Sequence, residues 1–312
     1  MSAERGDEVS VCLLTYKRER LLPRTLDTVL AQSWKQMEVV ISDDCSPDGT
    51  EEVCRRYAER DPRVKYFRNG TNLRYAGNQN AALARASNDL CAILHDGDLY
   101  HPDLIARWRE LMVRHPSAGI AFCATEDLDL NGALRRTNLH SYDELVSGHG
   151  LLVDMLCRLD SPIFGIVMVR RSFVRAVGEF DPEFPVLADV DMWLRLLASY
   201  DAVYERRPSI KVSAREADHI NNNRNARVLA ELDRLKRKNI DRTFGKWPAA
   251  RRALLATHRR LLLGQALRGL QSAAVRGEVA NMMGMLSFMA RTAFALDRGQ
   301  GMQRDGDLPG NK

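Results

Sequence analysis

The feature that most limits what this chain can fold into is an alternation that fills its first 125 residues. Short β-branched or apolar runs at 9–15, 37–43, 64–68, 90–94 and 119–125 are separated by segments of helical spacing at 21–31, 50–59, 76–86 and 102–114. Near-continuous apolar strands between amphipathic helices predict βαβ units and a mainly parallel sheet covered on both faces. The punctuation agrees. Ser46-Pro47-Asp48-Gly49-Thr50 opens one predicted helix, and Pro102 falls in the first turn of another. Residues 131–150 are rich in Asn, Gly, His and Ser and predict a long loop. A strand at 163–169, a helix at 172–177, a turn at 178–185 and a helix at 189–199 follow, with 202–206 as an edge strand. Beyond Ala226 the periodicity is helical throughout, in three segments at 228–244, 249–275 and 278–296.

Charge divides the chain at nearly the same place. Residues 224–304 hold 17 Lys or Arg against five Asp or Glu, a net of +12. The last eight residues add −1, so residues 1–223 carry −6 of the overall +5. An acidic part joined to a basic helical part predicts a boundary near residue 224 and a tail that seeks an anionic partner. The six cysteines contain no C-x-x-C pair and sit mostly in apolar runs, which fits reduced, buried thiols better than disulfides or a zinc site. The polar, acidic start is unlike a secretory signal, and 279–296, with Arg291 and several small residues, makes a poor membrane span. The reading is a cytoplasmic protein.

Three pairs of carboxylates stand at element ends: Asp43-Asp44, Asp96-Gly97-Asp98 and Asp189-Val190-Asp191. Taken singly, an aspartate there more often caps the next loop or helix. The first two pairs end predicted parallel strands, and open α/β sheets bind ligands at that edge. Clustered acids repel one another unless a cation or a hydrogen-bonding ligand is present. Hard carboxylate oxygens suit Mg²⁺ or Mn²⁺, which keep waters and bind substrate phosphates. No G-x-G-x-x-G follows the first strand and no G-x-x-x-x-G-K-[ST] occurs, which argues against a dinucleotide-binding dehydrogenase or a P-loop NTPase.

Six segments in one order carry a resemblance. They are Val11–Arg18, Thr28–Trp34, Val39–Gly49, Asn72–Ala81, His95–Asp103 and Gly178–Arg195. Together they resemble family 2 glycosyltransferases of the GT-A fold, over about two-thirds of the chain. The resemblance implies an α/β, Rossmann-like domain at 9–223; charge and helical periodicity, outside the resemblance, predict a basic all-helical extension at 224–298, and the polar ends at 1–8 and 299–312 are read as disordered. It also implies an inverting, metal-dependent enzyme of hexosyltransferase type, using a UDP- or dTDP-linked sugar in cell-surface glycan or glycoconjugate synthesis. Thr15 and Tyr16 would line the base pocket and Asp44 would contact the base. Arg74 would lie near the nucleotide, Asp96 with Gly97 at the ribose, and Asp98 on Mg²⁺ or Mn²⁺ with His219 as a further contact. Asp189 would be the catalytic base, with Asp191 in reserve. One departure concerns that base: relatives show Glu-Asp where this chain has Ala188-Asp189.

Single displacement would follow, with Asp189 deprotonating an acceptor hydroxyl that attacks the anomeric carbon opposite the leaving diphosphate. The acceptor expected is a glycan, a lipid-linked sugar or a small molecule. Two other readings compete. One is a non-catalytic nucleotide-sugar-binding scaffold; the other is nucleic-acid binding by the basic tail, which lacks aromatic interleaving and is not expected. The tail predicts either a helical hairpin packed on its own leucines or a peripheral contact with the inner face of a membrane, and it offers a surface for homo-oligomers.

Overall fold

The computed structural model describes residues 8–214 and 225–300, with side chains through Thr292. In chain order the elements are β1 (Val9–Thr15), α1 (Leu22–Leu30), β2 (Met37–Asp43), α2 (Thr50–Arg60), β3 (Val64–Arg68), α3 (Arg74–Arg85) and β4 (Leu90–His95). Then come β5 (Leu99–Tyr100), α4 (Leu104–Arg114), β6 (Ala118–Leu128), β7 (Leu134–Asn138), β8 (Leu145–Val146) and α5 (Gly148–Leu156). They are followed by β9 (Val167–Arg170), α6 (Arg171–Val177), α7 (Ala188–Leu197), β10 (Asp201–Val212), α8 (Ala226–Phe244), α9 (Pro248–Arg276) and α10 (Val279–Gln300). The described strands form one sheet ordered β3-β2-β1-β4-β9-β6-β10-β5, with β7 beside β6 and β8 beside β10. Strands β3, β2, β1 and β4 are parallel, β9 runs antiparallel between β4 and β6, and β10 is parallel to β6. All seven residues of β1 and of β2 are buried, as a sheet covered on both faces requires. Leu22, Leu26 and Val29 of α1 and Leu104, Ile105, Trp108 and Met112 of α4 pack with Val11, Leu13, Ile41 and Leu94 of the strands. Each such fully buried side chain stabilises the fold by about 1.5–3 kcal/mol.

The sequence expectations need correcting at several places. The loop expected at 131–150 contains β7, β8 and the start of α5. The strand expected at 163–169 is β9, shorter and later. The edge strand expected at 202–206 is the first part of β10, twelve residues long and interior. Its pairing with β6 shifts register between Glu205 and Ile210, so Arg206-Arg207-Pro208-Ser209 interrupts the ladder. Proline has no N–H to give a ladder, so Pro208 falls inside the break. The chain divides into two compact units, 1–155 with 161–219, and 156–160 with 220–312. Within the second unit α8, α9 and α10 pack together; Leu254, His258, Leu262, Ala266, Gly269 and Ala273 form the buried stripe of α9. No described helix is long and apolar enough to cross a membrane. None of the six cysteines is in a disulfide, and Cys12, Cys54, Cys91 and Cys123 are buried.

Candidate active site

Strand β1 is the switch point of the sheet: the chain winds outward from it to β2 and β3, then crosses back to β4 on its other side. The loops leaving the carboxyl ends of β1, β2 and β4 therefore meet. They are strapped together by hydrogen bonds between main chain and short polar side chains. Lys17 N–H donates to Ser46 Oγ at 3.0 Å, Arg18 N–H to Thr50 Oγ1 at 2.9 Å, and Gly49 N–H to Glu19 Oε2 at 2.9 Å. Asp48 takes the Thr50 hydroxyl at 2.6 Å; burial raises its carboxyl pKa, but the Thr50 bonds win and hold it below the usual range. Asp43 is fully buried and accepts from Ser46 N–H at 3.0 Å and Tyr66 O–H at 2.8 Å, so this acid is structural. Among the described residues the non-glycine positions with positive φ are Lys17, Cys45 and Arg74, one in each loop entering the crevice or on its wall. Left-handed backbone costs such residues roughly 1–3 kcal/mol and collects where function over-determines the geometry.

Thr15 ends β1 with its side chain 2% exposed, and its hydroxyl has no hydrogen-bond partner among the described residues. A buried hydroxyl without a partner is costly. Tyr16 beside it is 38% exposed, with Lys17 Nζ 5.3 Å from its ring centre. Asp44 is buried; its Oδ1 accepts from Leu73 N–H at 2.7 Å and Asn69 Nδ2 at 3.2 Å. Arg74 is exposed at the start of α3. Asp96 accepts from Tyr16 N–H at 3.1 Å and lies 3.3 Å from Arg18 Nε. Gly97, at φ 88°, turns the chain in a conformation that costs glycine nothing, and donates to Thr25 Oγ1 at 2.9 Å. Asp98 is 1% exposed and accepts from Ser213 N–H at 3.0 Å. Thr15, Tyr16, Asp44, Asp96, Gly97 and Asp98 thus stand on adjoining loops of one crevice. His219 lies outside the described residues.

The two acids of α7 separate. Asp189, in the first turn, is half-buried with its Oδ2 at 3.5 Å from Tyr75 Oη; the same hydroxyl lies 3.3 Å from His95 Nε2. Asp191 is placed differently. It is 1% exposed and paired with Arg195 Nε at 2.8 Å, while that guanidinium also donates to the carbonyls of Val177, Gly178 and Glu179. Its carboxylate braces the turn before α7, whereas Asp189 faces Tyr75. Tyr75, His95 and Gly165 are the site residues that the sequence reading passed over. His95 was visible as the residue preceding Asp96, and Gly165 as a glycine inside an apolar run, a mark of close approach. Tyr75 gave no signal of its own. A cleft of about 370 Å³ lined by Lys35, Glu38, Arg63 and Lys65 lies at the amino ends of β1 and β2, away from these acids.

For a divalent cation the donor set is specific. Among the described residues no group of three or more His, Cys, Asp or Glu side chains converges on one point. Asp96 is engaged by Tyr16 and Arg18, and Asp98 accepts from Ser213 N–H, so the turn offers two carboxylates that are both already held by the protein. That set fits an ion which takes its other ligands from a diphosphate and water, and not an all-protein cage.

Comparison with known proteins decides the family. The model of glycosyl transferase family 2 matches residues 10–177, more than half of the chain. The chain belongs to that family. EpsE of Bacillus subtilis (strain 168), named as a glycosyltransferase, is 26% identical over 196 residues, 61% of this chain and 66% of EpsE. The GalNAc(5)-diNAcBac-PP-undecaprenol beta-1,3-glucosyltransferase of Campylobacter jejuni is 34% identical over 96 residues, 29% of this chain and 30% of that enzyme. The chain therefore spans less than two-thirds of these relatives' lengths. Crystal structures of S. aureus TarS residues 1–349 superpose with a TM-score of 0.64 at 14% identity, covering 96% of this chain and 94% of that one. That likeness establishes the GT-A fold, and one such TarS structure contains UDP.

Proposed function

We propose that this family 2 chain is an inverting glycosyltransferase, moving a sugar from a UDP- or dTDP-linked donor to an acceptor hydroxyl. The observation that carries this is the convergence of Asp189 with the Asp96-Gly97-Asp98 turn: its carboxylate meets Tyr75 Oη, which meets His95 at the end of the strand leading into that turn. Thr15, Tyr16 and Asp44 take the base, Asp44 by accepting the pyrimidine ring N–H through the oxygen that does not hold Leu73. Asp96 and Gly97 lie at the ribose, and Arg74 on the crevice rim near the nucleotide. Asp98 would hold Mg²⁺ or Mn²⁺, with His219 as the further contact, and such an ion supplies neutralising charge for the departing diphosphate. Asp189 removes the acceptor proton as the hydroxyl attacks the anomeric carbon from the opposite face. Proton transfer of this kind contributes about 10²–10⁴-fold. TarS complexes with UDP and UDP-GlcNAc support the donor class, and the name of the Campylobacter relative supports a lipid-linked glycan as acceptor in cell-surface synthesis.

The catalytic domain is residues 9–223 and the extension 224–298. A specific feature favours a peripheral role for the extension, at the inner face of a membrane. Helix α9 has six arginines and no acidic residue, and Val275, Val279 and Met283 are 89%, 67% and 63% exposed where α9 turns into α10. Basic and apolar groups exposed together suit an anionic lipid surface.

A panel of UDP- and dTDP-sugars with Mn²⁺, read by thermal shift and by nucleotide release, tests the enzyme reading. Release should stop in excess EDTA and in Asp98→Asn. Asp189→Asn should lower turnover at least ~10²-fold with donor binding nearly unchanged. Stabilisation by a nucleotide sugar without release or transfer would leave a binding scaffold instead.

A further inference from the structure

We infer that Tyr75 is a positioning residue: its hydroxyl holds the Asp189 carboxylate in the line of attack and ties it to the nucleotide pocket. The inference rests on Asp189 being the base, as proposed above.

The argument begins with proton counting. A tyrosine hydroxyl has one proton, and an ionised carboxylate only accepts. Between His95 Nε2 at 3.3 Å and Asp189 Oδ2 at 3.5 Å, the Tyr75 proton therefore points to Asp189, and His95 donates from Nε2 to Tyr75 Oη. The distances are long, as catalytic contacts often are before substrate binds. His95 is itself braced: its N–H donates to Tyr100 Oη at 2.9 Å, and that hydroxyl donates to the His95 carbonyl at 2.7 Å. Its ring meets the Tyr75 ring edge-on, centres 5.7 Å apart at 72°.

The other end of Tyr75 is anchored at the nucleotide side. Asp44 Oδ1 takes the Leu73 N–H at 2.7 Å, and Arg74, at φ 60°, then turns the chain so that Tyr75 faces His95. Three consecutive residues thus join Asp44 to Asp189. From behind, Gly165 closes the space: a methyl there would overlap Tyr75 Oη and sit 2.6 Å from His95 Cε1. Gly165 has no positive φ to explain it, so the packing of this pair is what requires glycine. Ala188 stands where an acidic neighbour is expected before the base; Val190 N–H holds Asp189 Oδ1 at 2.8 Å, and the Tyr75 hydroxyl is a side-chain group that meets the other oxygen, Oδ2.

The experiment compares Tyr75→Phe, Gly165→Ala and Asp189→Asn with wild type in the full chain. The probes are UDP-glucose, UDP-GlcNAc and dTDP-glucose with Mn²⁺, followed as nucleotide release between pH 5 and 9, with UDP binding and melting temperature measured alongside. Tyr75→Phe should lower kcat by about 10-fold, leave KM for the donor and UDP binding within about twofold, and move the acid limb of the rate profile to higher pH, because a carboxylate that loses a donor is protonated more readily. Gly165→Ala should move the same quantities in the same direction without changing any polar group. Wild-type kcat and pH profile in Tyr75→Phe, with Asp189→Asn inactive, would overturn the inference alone. A parallel fall in melting temperature, UDP binding and kcat, with an unmoved pH limb, would also overturn it, since Tyr75 would then be structural. Full activity in Asp189→Asn, or no release by wild type from any probe, removes the base reading and this inference with it.

Discussion

Thr15 puts a general rule to use at a single atom. A buried hydroxyl without a partner loses its hydration and regains nothing, at a cost of about 1–3 kcal/mol. Removing it should therefore help the empty protein and harm the loaded one. Thr15→Val is expected to raise stability by about 1 kcal/mol in urea titrations without ligand, and to weaken UDP binding about fivefold by calorimetry. A loss of stability would mean that the hydroxyl has a structural partner. The same contrast separates Asp189 from Asp191. Two residues apart on α7, one meets a hydroxyl in the crevice and the other neutralises a buried guanidinium. Sequence spacing showed that they could not share a helical face. It could not show which face looked at Arg195, because the carbonyls of Val177, Gly178 and Glu179 that complete that site come from a different segment.

At the scale of elements, what was legible follows from periodicity. Strands β1, β2 and β4 and helices α1, α2 and α4 stand where the apolar runs and turn residues put them, because both faces of the sheet are buried there and local pattern equals tertiary demand; the edge strand β3 was legible from its run alone. Legibility ended where a strand left that regime: β7 is nearly all exposed, and β10 carries Arg-Arg-Pro through a break in its ladder. The candidate site was legible at its acids, which sit at strand and helix ends, and illegible at Tyr75 and Gly165, whose meaning lies in contacts between separate elements. Helices α8 and α9 hold another such contact. His258 is fully buried 3.2 Å from Asp233, with Lys236 and Arg237 as cationic neighbours. Burial lowers its pKa from 6.5, the cations add to this, and Asp233 opposes it. A base whose folded pKa is depressed stabilises the fold while neutral, so stability is lost as pH falls below 6.5 toward the lowered folded value. Asp233 is depressed too, burial being outweighed by His258 and Arg237, and its loss falls in a separate window below 3.8. Urea midpoints measured at pH 7.5 and 5.5 should fall for wild type and change less for His258→Leu. Equal falls in both would remove His258 as the cause.

Across the whole chain, charge and exposed apolar surface are unevenly distributed, and the unevenness predicts behaviour that no single site does. Residues 1–223 carry −6 and residues 224–304 carry +12, so the positive charge is concentrated in the second part of the chain. In α9 the apolar stripe from Leu254 to Ala273 is buried, while Arg252, Arg260, Arg268 and Arg276 are exposed. Left-handed Gly277 ends the helix and starts the turn on which Val275 and Val279 stand out. Packing thus satisfies the inward stripe and leaves an outward surface of arginines with an apolar tip. Each Lys or Arg at an anionic membrane surface is worth about 1 kcal/mol, so four would give weak, reversible binding, strengthened by insertion of the tip. The full chain should pellet with phosphatidylglycerol vesicles at low salt, release as salt rises, and ignore phosphatidylcholine vesicles. Replacing Arg252, Arg260, Arg268 and Arg276 by Gln should abolish pelleting while nucleotide release in solution stays unchanged, since none of these residues has a part in the proposed chemistry. Pelleting that is indifferent to lipid charge would contradict the electrostatic account. No pelleting, together with a concentration-dependent dimer by size-exclusion chromatography, would give the same surface to a second copy of the chain.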